Sequence, residues 1–438
     1  MHFPEQIMKE RIDYYPFNEK YSRFIEIDSK CTFHSQMDPE NFSYLLYLDY
    51  RPIPFWQDFG KSCVRLCGDG KYHNSQYFVN SDCGKRYINV SDIEGSVISA
   101  EPHHCIIGDR AKLYAFARVR NPGRTLIVAP HPDDAELGAF TFLSSNPANT
   151  FVVTLSAGEA VKDMDRQYFS GMDQDLSAAI RRKGTLRAWN AATVPLLYGI
   201  ESDHLYMLGY PDGKLTEMMM KPSTDIKNPA DPELRPSFFR LYNRDLLAHG
   251  EESRWDHLVD ELADLMSSLA IQTVVVTNPI VDSHPDHIAA AYAVADAIRK
   301  NSFTPENVFM YVNHIRTAKR FNTGPVGCVV GPQVFNAKQV FGTVMNFESR
   351  PLDGELLKKK GIAMNAMYDL YRPDGFFATV RHMFKKHQWF DSPRIGLGRY
   401  FRRSLKANEP FCVVSGHQFL KLCDESRNMD RSEDGKQS

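Results

Sequence analysis

Two short stretches gather side chains that can bind a cation and move a proton. The first is "APHPDDAELG", residues 129–138, with His131, Asp133 and Asp134. The second is "VDSHPDH", residues 281–287, with Asp282, His284, Asp286 and His287. Burying such groups without partners is costly, so each cluster either meets a ligand or faces solvent at a mouth. Each follows an apolar run, "TLIVAP" in one case and "TVVVTNP" in the other. In open α/β sheets ligands bind outside the carboxyl ends of the strands. The clusters are therefore expected to converge on one divalent ion. Imidazoles with a carboxylate suit zinc, with a coordination position left open for water. A set without thiolates also accepts iron, manganese or cobalt. Within each cluster one side chain can bind the metal while its neighbour stays free for proton transfer.

The elements that must position these groups alternate from residue 125 onward. Apolar runs at 125–130, 150–159, 204–213, 273–279 and 308–314 read as strands, and 176–194, 253–269, 287–300 and 356–371 as helices. That alternation predicts a doubly wound, Rossmann-like, mostly parallel sheet. In 253–269 the residues Trp255, Leu258, Val259, Leu262, Leu265 and Met266 share one helical face, and Ser253 with Asp256 resembles a capping box. Residues 1–120 differ, with short strand-like runs between turn signals, which predicts a β-rich, sandwich-like accessory domain. The consecutive His103, His104 and Cys105 would alternate faces in a strand and cannot share a metal. Three regions are expected: the accessory domain at 1–120, an α/β core at 121–345, and a helical extension at 346–438 with a polar tail. Within the core, 214–252 is too long and too rich in Pro and Asp for an ordinary connection, and is read as a lid or edge insertion.

"PHPDDAELG" and "DSHPDH" resemble the paired motifs of the PIG-L/LmbE-type metal-dependent de-N-acetylases. "VTLSAGEA", "IRRKGTLRA" and "LGYPDGKL" add to the resemblance, which spans about 125–315. It implies an LmbE-like fold. It assigns His131, Asp134 and His287 as ligands of one zinc or other divalent ion per chain, Asp133 as general base, and His284, as imidazolium, as oxyanion donor. Asp282 and Asp286 would orient imidazoles, and Arg181, Glu159 and Asp212 would contact the sugar. The implied reaction removes acetate from an N-acetylglucosamine-type sugar in a glycan, glycolipid or glycoconjugate precursor. The alternatives are an inactive glycan-binding relative and a nucleotide-sugar transferase; against the transferase, no Gly-rich phosphate loop follows the first α/β strand of this sequence. The chain departs from the family where Gly184 follows Arg181 by three and where Ala135 follows the acidic pair.

The composition is ordinary: 438 residues, 43% hydrophobic, 24% charged, net charge −2. That balance offers no electrostatic case for nucleic acid. No basic region followed by an apolar one opens the sequence, and no apolar run is long enough to span a membrane, so a cytoplasmic protein is expected. The eight cysteines are scattered, as in a reduced protein. Residues 380–406 interleave basic and aromatic side chains. They suit peripheral contact with the inner face of a membrane or with a phosphorylated or lipid-linked glycan, or else a packed helix with solvated cations.

Overall fold

In the computed structural model, residues 9–10, 12–53, 62–79, 82–162, 164–242, 250–301, 304–315, 322–333, 342–370 and 399–434 are described. Residues 380–398 of the basic aromatic segment and 243–249 of the expected insertion lie outside them. The chain forms two units. The first comprises 1–121, 317–357 and 402–413; the second comprises 122–316, 358–401 and 414–438.

The first unit is the β-rich module. Its strands are β1 (Lys9–Glu10), β2 (Tyr21–Glu26), β3 (Thr32–His34), β4 (Phe42–Pro52), β5 (Cys63–Gly68), β6 (Lys71–Tyr77), β7 (Asp82–Asn89), β8 (Val97–His103) and β9 (Cys105–Ala117). They make one sheet of order β1-β7-β4-β9-β2 and another of order β3-β8-β5-β6. Alternation along β4 and β9 turns Leu46, Leu48, Ala111 and Leu113 into a core that also holds Val64, Leu66 and Ile98 from the second sheet. An antiparallel pair, Asn346–Pro351 with Asn408–Val414, has its paired residues up to Val413 in this unit.

The second unit is built on parallel strands: β10 (Thr125–Ala129), β11 (Thr150–Ser156), β12 (Leu205–Tyr210), β13 (Thr273–Thr277) and β14 (Asn307–Tyr311). β10 to β13 are buried along their whole length, which is why they read as continuous apolar runs without alternation. Their order is β12-β11-β10-β13-β14. The chain thus builds outward from β10 in one direction, then returns to add β13 on its other side. The crevice at such a reversal is where a doubly wound sheet binds ligands. The two sequence clusters follow β10 and β13, the strands that flank it.

Four helices matter to the site: α1 (Asp134–Gly138), α2 (Leu176–Thr193), α3 (Trp255–Ser268) and α4 (Pro285–Lys300). α3 buries the expected apolar face. Its cap differs from expectation, because Arg254 is the N-cap residue and makes no side-chain cap, while the Asp256 carboxylate pairs with Arg254. α4 starts with Pro285 at its first turn and ends on Arg299 and Lys300, the placement that suits the missing proline N–H and the helix dipole.

The stretch read as a lid is, over 214–242, firmly packed. Phe239 joins Ala157, Ile180, Ala188, Met207 and Leu234 in one apolar cluster. Arg240 reaches inward to Glu261 Oε1 at 2.8 Å and to the Leu208 carbonyl at 3.0 Å. A hinged lid would not bury a guanidinium in this way. Among the described residues no helix is long and apolar enough to cross a membrane.

Candidate metal-dependent active site

All five parallel strands deliver side chains from their carboxyl ends. β10 is followed by His131, Asp133 and Asp134; β11 by Glu159; β12 by Asp212; β13 by Asp282, His284, Asp286 and His287; β14 by Asn313 and His314. His131, Asp134 and His287 are buried, and each offers a ligand atom within 4.8 Å of the others.

The far side of each imidazole is held by a carboxylate. His287 Nδ1 lies 3.1 Å from Asp282 Oδ2, and the Asp282 carboxylate also accepts from the backbone N–H groups of His284, Asn313 and His314. His131 Nε2 lies 3.2 Å from Asp286 Oδ2, whose carboxylate accepts from Gly213 N and Leu215 N. Carboxylates behind ligating imidazoles fix the ring and the tautomer. The atoms left facing each other are His131 Nδ1, His287 Nε2 and Asp134 Oδ2, with 3.2 Å from each nitrogen to that oxygen. Asn313 Nδ2 holds the other oxygen, Asp134 Oδ1, at 2.8 Å.

These residues fit a metal ion. His287 Nε2 is wholly buried and makes no hydrogen bond, although the Asp134 oxygen is close. An orphaned ring nitrogen aimed at a carboxylate and a second imidazole is the donor set of a His₂Asp site. Burial works against a charge on His287, yet the carboxylates of Asp134 and Asp282 push its pKa up to about 10. The same field attracts a cation in the proton's place. A second set, His131, His284 and Asp286, also satisfies the distances. In that set the Asp286 carboxylate is already engaged by two backbone N–H groups, and His284 Nδ1 by a third.

Asp133 stands beside this centre rather than within it. It has φ +130°, a conformation in which a side chain is strained, and it belongs to neither set of ligand atoms. Arg187 Nη2 lies 3.3 Å from Asp133 Oδ2 and donates to the Pro132 carbonyl at 3.0 Å. Arg187 Nη1 is anchored on Asp369 at 2.6 Å. Burial pushes the Asp133 carboxyl up to about 7 against the pull of the Arg187 guanidinium, which is in the useful range for a base near neutral pH.

His284 stands at the start of α4. Its Nδ1 accepts from Asp286 N–H at 3.2 Å and caps α4. Burial and the neighbouring rings of His287 and His131 lower its pKa to about 4. A ring that accepts at Nδ1 carries its hydrogen on Nε2. His284→Ala should lower kcat by about 10²–10³-fold, as for loss of one oxyanion donor, with metal content unchanged; stopped-time acetate assays and elemental analysis check this.

The residues expected at the sugar are placed differently from one another. Asp212 Oδ1 lies 3.3 Å from His131 Nε2 and 3.3 Å from Lys162 Nζ. Glu159 is buried and turned inward, accepting from Asp212 N at 2.9 Å and Asn228 Nδ2 at 3.2 Å. Arg181 makes a two-pronged pair with Asp231, at 2.6 and 3.1 Å, and is not brought to the metal-facing atoms. The arginine that reaches Asp133 is Arg187, six residues on, with Ile180, Gly184 and Ala188 on the buried side of α2. Gly184 is required there, because a Cβ would come within 2.5 Å of the Phe239 ring and 2.8 Å of Glu159 Cβ. Sequence reasoning also passed over Asn313 and His314, which follow a strand just as the two named clusters do, and Asp369.

Residues 126–298 match the family model PIG-L, GlcNAc-PI de-N-acetylase. The matched segment lies within the second unit. It contains His131, Asp133, Asp134, His284 and His287, whereas His314 and Asp369 lie beyond it. Solved structures similar to the chain include a conserved protein from Thermus thermophilus, 18% identical, TM-score 0.32, covering 66% of this chain and 93% of that one. Another is an N,N'-diacetylchitobiose deacetylase from Pyrococcus horikoshii in complex with an inhibitor, 14% identical, TM-score 0.35, covering 68% and 88%. A third is a zinc-inhibited form of a teicoplanin deacetylase, 15% identical, TM-score 0.34, covering 67% and 98%. No curated protein matches the chain.

Proposed function

We propose that the protein hydrolyses the acetamide of an N-acetylglucosamine-type sugar within a glycan, glycolipid or glycoconjugate precursor, with one zinc or similar divalent ion per chain. The observation that carries this reading is the orphaned His287 Nε2 facing Asp134 and His131, with Asp133 and His284 at its side. The ion supplies Lewis acidity and makes water acidic near neutral pH. Asp133, set by Arg187, takes the proton of the attacking water and hands it to the leaving nitrogen. His284 Nε2–H donates to the carbonyl oxygen as negative charge grows there. Asp282 and Asp286 keep the two ligand rings in register. Among the expected sugar contacts Asp212 stands nearest the reacting centre, while Glu159 and Arg181 serve by holding Asp212, Asn228 and Asp231 in place. The three-region division of the chain, peripheral membrane contact through 380–406 and a cytoplasmic location at the membrane's inner face belong to the same proposal.

The test is acetate release from four classes of N-acetylamino sugar: free, nucleotide-linked, phosphorylated and lipid-linked. Acetate from at least one class, dependent on bound metal, is expected. A metal-loaded protein that releases none from any class would overturn the reading.

A further inference from the structure

The outer face of the five-stranded sheet in the first unit carries side chains that neither its core nor the candidate active site uses. Residues paired across an antiparallel ladder project to the same side. Phe24, Lys112, Tyr47 and Tyr87 therefore form one row across β2, β9, β4 and β7. The ladder pairs Glu26–Arg110 and Asp49–Lys85 flank that row. The opposite face already fills the core with Leu46, Leu48, Ile88, Ala111 and Leu113, so the outer aromatics are not needed for it.

At one end of this face Phe17 covers Tyr87 and Phe116, with ring centroids 5.3 and 5.0 Å apart. At the other end the face opens as a groove of about 710 Å³ lined by Phe24, Tyr47, Lys85, Arg110, Lys112 and Tyr114. That volume falls within the roughly 300–1,000 Å³ of small-ligand sites. Phe24, on the edge strand, is 83% exposed, a large apolar surface left in water. The other rings are held in place. Tyr47 stacks on Tyr87 at 4.5 Å, and Lys112 Nζ sits 4.4 Å over the Tyr114 ring.

The charges in the groove are matched rather than of one sign. Lys85 Nζ meets Asp49 at 2.6 Å and Lys112 Nζ meets Glu19 at 3.5 Å. A polyanion would find little net attraction there. The ligand that fits has an apolar C–H face to lie on aromatic rings and a rim of hydroxyls that accept hydrogen bonds from the paired cations and donate them to the carboxylates. A pyranose ring has both.

We propose that this groove is a non-catalytic binding site for the pyranose chain of a glycan. It adds a second site for sugar to the chain and goes beyond the hydrolytic reading, and its test needs no turnover. The full-length protein is titrated calorimetrically with hexasaccharides of N-acetylglucosamine, glucosamine, β-linked glucose and mannose, with inositol as a control. Saturable binding of at least one hexasaccharide is expected. Phe24→Ala and Lys112→Ala should each weaken it by roughly fivefold to tenfold, the worth of one ring or cation contact, with unchanged melting temperatures. Asp133→Asn should leave it intact. Three results would overturn the proposal: no hexasaccharide binds; both groove variants bind as well as the parent; or Phe24→Ala abolishes a concentration-dependent dimer, which would assign the face to a second copy of the chain. Failure to release acetate would count against the hydrolytic reading alone.

Discussion

Asp133→Asn is expected to keep the metal and to lose about 10²–10⁴-fold in turnover, the usual contribution of a positioned proton acceptor. The amide matches the carboxylate in shape, so the strained turn and the contacts of Arg187 with the Pro132 carbonyl and Asp369 remain. What is lost is the ability to accept a proton. His287→Ala makes the contrast. It removes a buried nitrogen that makes no hydrogen bond, so metal content and turnover should fall together. Elemental analysis of both variants, beside acetate release, separates the roles. Loss of metal from Asp133→Asn would make Asp133 a ligand and would require Asp134 to be reassigned.

Arg240→Met is expected to destabilise the protein by about 3–5 kcal/mol, the cost of breaking a buried ion pair from one side. Glu261 is 0% exposed, and its carboxylate accepts from Arg240 at 2.8 Å and from the Tyr210 hydroxyl at 2.9 Å. Methionine fills much of the same volume but leaves the charge without its guanidinium. The double variant Arg240→Met/Glu261→Gln should recover part of the loss, because the stranded charge goes with it. The urea midpoint of each variant, at unchanged slope, measures this. A midpoint equal to the parent's would mean that the 214–242 stretch is not held by this pair. The stretch also carries Asn228, which holds Glu159, so loosening it should disturb the site before the sheet unfolds.

What could be read from sequence follows from how each signal arises. Strands β10 to β13 are buried along their length, so they appear as apolar runs without alternation. The clusters after β10 and β13 stand out because polar groups follow directly on such runs. Side-chain direction is harder to read. Arg181 and Arg187 lie on the same helix, and only packing shows that α2 turns Ile180, Gly184, Arg187 and Ala188 inward. The polar residues on that buried face blur its apolar pattern. Glu159 looks like a sugar contact by its place after β11, but the Asp212 N–H and Asn228 claim it. The state of the His284 ring depends on His131 and His314, brought from distant segments, as well as on its sequence neighbours Asp286 and His287, and no local pattern records the distant two. Asp369 comes from beyond the segment that matches the PIG-L model and meets Arg187 only in the folded chain.

The backbone at Asp133 sets chemistry and sturdiness at odds. Its φ of +130° is easy for glycine and costs another residue about 1–3 kcal/mol. Aspartate and glycine codons differ by a single nucleotide. Under the proposed function, one mutational step therefore relieves the turn and removes the proton acceptor at once, while His131, Asp134 and His287 stay as they are. On that reading, selection for a more durable fold, acting alone, would carry a descendant of this chain toward a sugar-binding protein that still holds its metal and no longer cuts.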